Sequence, residues 1–92
     1  MKKTIYFNDF VEEFVVCNRK DQFSHNGLKA LYDWLEEELP NFELDVISLC
    51  SEFAEYNNIE EIKNDYNIKS LNELHDHTAV IQFNGGIIIQ NF

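Results

Sequence analysis

The residues of this chain that could do chemistry are three histidines, two cysteines and several paired carboxylates. On a strand, His75-Asp76-His77 would place both imidazoles on one face, and with a carboxylate or the distant His25 they could hold zinc. The pattern offers no fixed third or fourth ligand, and a polar turn leading into a hairpin explains the same residues. Cys17 and Cys50 belong to no CxxC motif. As nucleophiles they would need a base and an oxyanion hole, yet no glycine-rich turn follows either, so they read as packed, reduced thiols. Ser24-His25 resembles a dyad on paper, but Ser24 is better explained as a helix N-cap. The pairs Glu36/Glu37 and Glu60/Glu61 could suggest acid–base work or a magnesium site. Neighbours on a helix diverge by about 100°, which favours a solvated face. Asn84-Gly85-Gly86 lacks the helix that a phosphate cradle requires. The sequence therefore predicts no catalytic residue, no metal and no cofactor.

Those residues must be carried by something. The 92 residues, with 45% hydrophobic and 14% aromatic side chains, predict one folded domain over 1–92. One Pro and three Gly leave no linker. Asn8 or Asp9 is expected to cap a first helix to about Asn18, with Phe10, Phe14 and Cys17 on its inner face. Asn18 to Gln22, including Lys20, reads as a polar connection. Ser24 then caps a second helix ending at Leu39-Pro40, with Leu28, Leu31, Tyr32, Leu35 and Leu39 along one stripe. Asn58 with Glu61, and Ser70 with Glu73, repeat the capping-box spacing and predict two short helices. The run TAVIQF, an Asn84-Gly85 turn and IIIQNF form a hairpin.

A lone hairpin is marginal in water. Residues 42–50 are therefore expected to supply a third strand, with Phe42, Leu44, Val46, Ser48 and Cys50 on one side. Helical spacing of Val46, Leu49, Cys50 and Phe53 competes with that assignment. The expected fold is α+β: N-terminal helices on one face of a small three-stranded antiparallel sheet, closed by the C-terminal hairpin.

Charge narrows the function. Seventeen acidic against seven basic residues give −10, which opposes direct binding to nucleic acid or an anionic membrane surface. From Ala30 to Glu61 there are ten acidic residues and no basic one. Such a field favours a basic partner. SEFAEYNNIEE sets Phe53 and Tyr56 among Glu52, Glu55, Glu60 and Glu61, a spacing able to imitate phosphates and bases. The competing explanation is that the aromatics are core and the glutamates keep the chain soluble. The broken opening run TIYFNDFVEEF predicts no secretion signal, hence a cytoplasmic protein.

Three stretches, KDQFSHNGLKALYDWLEE (20–37), ELDVISLCSEFAEY (43–56) and AVIQFNGGIIIQNF (79–92), resemble a group of small acidic proteins encoded by bacteriophages and other mobile elements. Ser51 stands here where a second cysteine is common in that group. The resemblance implies a phage or mobile-element setting, where small acidic proteins often disable restriction enzymes or CRISPR nucleases. The expectation is a non-catalytic inhibitor that covers the basic surface of a host nucleic-acid-binding protein or CRISPR effector. Its partner-binding residues would be Glu36, Glu37, Glu38, Glu52, Glu55, Tyr56, Glu60 and Glu61. The alternative is an accessory domain that forms a homodimer through an exposed C-terminal edge strand, IIIQNF.

Overall fold

A computed structural model describes residues 5–19, 21–41 and 43–92. Among them are five helices and three strands. In chain order these are α1 (Phe7–Val16), α2 (His25–Glu38), α3 (Val46–Glu52), β1 (Phe53–Tyr56), α4 (Ile59–Asp65), α5 (Leu71–His77), β2 (Val80–Phe83) and β3 (Gly86–Gln90). The α+β class and the closing hairpin are as expected, and none of the described helices is long and apolar enough to cross a membrane.

The third strand exists but lies further along the chain. Residues 46–52 are helix α3, and the strand is FAEY, 53–56. Helical spacing prevails because Asp45 provides a start: its Oδ1 accepts the Ser48 N–H at 3.1 Å, and Val46 and Leu49 then bury on one face. Phe42, expected in the same strand, lies outside the described residues, as do Lys20 and residues 1–4.

The sheet order is β1-β3-β2, antiparallel throughout, so β3 is its central strand. It pairs Ile89 with Ala54 on one side and with Val80 on the other. IIIQNF is therefore not an edge, and pairing with a second copy through β3 is blocked because both its ladders are filled. The free edges belong to β1 and β2.

Helices cover both faces of the sheet rather than one. Ile88 and Ile81 join Phe10, Phe14, Phe23, Leu31, Leu35, Leu49 and Phe53 in a large core beneath α1, α2 and α3. Ile87 and Ile89 point the other way, into a smaller core with Ile62, Ile68 and Leu74 from the α4–α5 region. Alternation along a strand makes this unavoidable. Three consecutive isoleucines are the mark of a strand buried on both sides.

The ends of the helices are fastened by the residues that announced them. Ser24 Oγ accepts the Gly27 N–H at 3.0 Å, and Asn58 and Ser70 do the same for Glu61 and Glu73. In both short helices the glutamate reaches back one residue beyond the cap. Glu61 accepts the Asn57 N–H at 2.7 Å and Glu73 that of Lys69 at 2.8 Å. Helix α1 begins two or three residues earlier than expected: Tyr6 is its N-cap, and Asp9, at the third helical position, accepts the Tyr6 N–H. It ends in a Schellman turn. Asn18 takes φ 59°, Arg19 donates to the Phe14 carbonyl and Asn18 to that of Val15. In the hairpin, Gly85 supplies the positive φ of the turn, 113°.

Candidate functional site

The eight residues expected to meet a partner fall into three separate places. Glu36, Glu37 and Glu38 are exposed and form the last turn of α2. Glu52 is exposed and is the last residue of α3. Strand β1 runs opposite to α2: the Phe53 ring meets Trp34 at 5.7 Å, while Glu55 reaches Ser24. Glu52, next to Phe53, thus lies toward the end of α2 that carries the three glutamates. These four carboxylates close the C-terminal ends of α2 and α3 on the large-core side of the sheet.

Glu55 is occupied elsewhere. Its Oε1 accepts both the Ser24 N–H at 3.0 Å and the Ser24 hydroxyl at 3.1 Å, placing a negative charge at the positive end of the α2 dipole. The approach is so close that a Cβ on Gly27 would lie 1.9 Å from that oxygen. A glycine at the third position of the helix leaves room for the carboxylate.

Glu60, Glu61 and Tyr56 belong to the opposite face of the sheet, with α4. Glu60 pairs with Lys63 at 3.5 Å, and Glu61 closes the helix start through Asn57. The Tyr56 hydroxyl donates to Asp65 at 3.0 Å. Burial first, then that hydrogen bond to a carboxylate, pushes its phenol up to about 12. Phe53 is buried, 3% exposed, and Tyr56 packs against the small core. Phe53 is thus a core residue and Tyr56 is half-buried, while the exposed positions of SEFAEYNNIEE are Ser51, Glu52, Asn57, Asn58, Glu60 and Glu61.

The helix ends differ in a way that sequence reading missed. Helix α4 has Glu60 and Glu61 in its first turn and Lys63 in its last; α5 has Glu73 first and His75 and His77 last. Both arrangements suit the helix dipole. Helices α2 and α3 carry no acidic residue in the first turn and no basic residue in the last, and both terminate in glutamate. The field of Glu36 is felt inside the molecule, where the Tyr32 phenol is raised by burial first and by that charge second. The signal was present in the run LEEELP, read only as outward-facing glutamates.

The histidines do not converge. His75 and His77 lie on a helix, where i and i+2 diverge by about 200° instead of sharing a face. His77 instead stacks on Phe92 at 5.6 Å, and Phe92 on Tyr66 at 4.3 Å. Among the described residues, no group of three His, Cys, Asp or Glu is placed to hold a metal ion. The thiols of Cys17 and Cys50 are both half-buried and unbridged, and burial raises the Cys50 thiol. What the fold defines, then, is a small α+β domain with a three-stranded sheet between two helical layers. In comparisons with known proteins, no family model, no curated protein and no solved structure matches this chain.

Proposed function

We propose that this protein is a non-catalytic inhibitor from a phage or mobile element. It acts in the bacterial cytoplasm on a nucleic-acid-processing defence complex, with a CRISPR effector as the target class. The acidic region formed by Glu36, Glu37, Glu38 and Glu52 occupies the basic channel that otherwise holds DNA or RNA. The observation that supports this is the placement of those charges at the negative ends of α2 and α3. A solubility device gains nothing from that placement, and each acid there opposes the dipole by about 0.3–1 kcal/mol. A basic partner offsets that penalty on binding, and the electrostatic attraction speeds encounter.

The test is competition between the protein and target DNA for purified CRISPR effector–guide complexes, at low and high salt. The protein displaces DNA from the effector it targets, less so at high salt. Reversing Glu36, Glu37, Glu38 and Glu52 to Lys removes the displacement while raising the midpoint of urea unfolding, because lysine suits a helix C-terminus. Binding unchanged by the four reversals sinks the proposal, and so does the absence of displacement across a panel of effector types.

A further inference from the structure

A groove on another part of the surface points to a second kind of contact. One wall is the last turns of α1, with Glu13 and Cys17; the other is the segment Glu43 to Ile47, entering α3. Its volume is about 370 Å³ and it is open to solvent. Ile47, in the second wall, is 50% exposed. The groove thus combines the apolar side chains of Leu44, Val46 and Ile47 with three carboxylates, Glu13, Glu43 and Asp45. Glu12 is exposed on the same helix, and among the described residues no basic side chain lines the groove.

We infer that this groove receives a basic polypeptide segment, with one aliphatic or aromatic side chain seated against Leu44 and Ile47 and Lys or Arg meeting Glu13 and Glu43. The surface is independent of the acidic helix ends and does not rest on the function proposed above. An open groove of this size leaves a small molecule mostly in water, whereas small-molecule sites bury about 70–90% of their ligand. A segment laid along a groove with apolar anchors is a recurrent mode of peptide recognition. A second copy is disfavoured, since a symmetric contact would bring two like-charged rims together on chains of net charge −10.

The test uses two synthetic peptides of equal length and equal lysine content. One is amphipathic, with leucines at helical spacing; the other has serine at those positions. Each is titrated into the isotopically labelled protein while backbone amide shifts are followed. The amphipathic peptide moves the amides around Glu13, Cys17 and residues 43–47, and more weakly at high salt. The serine peptide leaves them in place or moves Glu36–Glu38 instead. Ile47→Ser, or Glu13→Lys with Glu43→Lys, weakens amphipathic-peptide binding about tenfold, with circular dichroism unchanged. Equal shifts from both peptides, shifts centred on Glu36–Glu38 with the leucine peptide, or no binding at all would each overturn the inference.

Discussion

The two faces of the sheet are built by different means. Under α1, α2 and α3 the core is large and rich in phenylalanine, and helices of ten and fourteen residues bring enough buried surface to hold themselves. Under α4 and α5 the core is small and aliphatic, and each helix has seven residues. Helices that short are unstable alone. They carry every local aid available: an Asn or Ser cap, a glutamate folded back onto the preceding N–H, and charges in accord with the dipole. On the larger side Asp9, Glu55 and Asp45 serve the helix starts in the same way, but α2 and α3 end in glutamates that oppose the dipole. Where packing is ample, charge is free to be arranged for something other than stability.

Ile88 and Ile89 offer the sharpest break of that comparison. They are neighbours of one type on one strand, both fully buried, one in each core. Each Ile→Ala change is expected to cost about 2–5 kcal/mol by urea unfolding. Ile89→Ala should speed amide exchange in 59–77 before it does so in 25–38, and Ile88→Ala the reverse. Identical exchange patterns would show that the two sides are one cooperative unit.

A smaller effect concerns the carboxylate at the start of α2. Gly27→Ala expels Glu55 from Ser24 and costs about 1 kcal/mol, since charged hydrogen bonds outweigh the helical preference for alanine. With Glu55→Ala already present, the same substitution becomes stabilising, measured by thermal unfolding. On the other face, Ser70→Ala removes the cap of α5 at a cost of about 1 kcal/mol. A loss well below that would mean that packing of Leu74, not capping, holds the helix.

The smallest effect is alkaline. The Tyr56 phenol is raised from 10.0 to about 12 in the folded protein, so folding favours its protonated form. That contribution is complete below pH 10 and is lost as the pH rises through about 12. Tyr56→Phe should flatten this part of the stability profile, and the phenolate absorbance of the wild type should report the displaced titration. An unchanged profile in the variant would assign the alkaline loss to another group, with Tyr32 the next to examine.

What could be read beforehand was local. Ser24, Asn58 with Glu61, Ser70 with Glu73, and the Asn84-Gly85 turn each act within four residues, and each appears where its spacing placed it. The need for a third strand was legible as well, but not its position. FAEY is four residues long, too short to show a period, whereas the alternation in 42–50 was accidental and concealed the Asp45 cap. Glu55 was illegible because its partner lies 31 residues away. Of the eight residues expected at an interface, four stand on exposed C-terminal helix ends. The others could not be separated from them without knowing which face of the sheet each one serves.

The central position of β3 also has a consequence in time. A ribosome releases α1 through β2 before residues 86–90 emerge, so β1 and β2 must wait, unpaired, for the strand that joins them. Neither layer of helices can close on a finished sheet until then. Assembly of the sheet is therefore expected to be abrupt, set off when residues 86–90 become available.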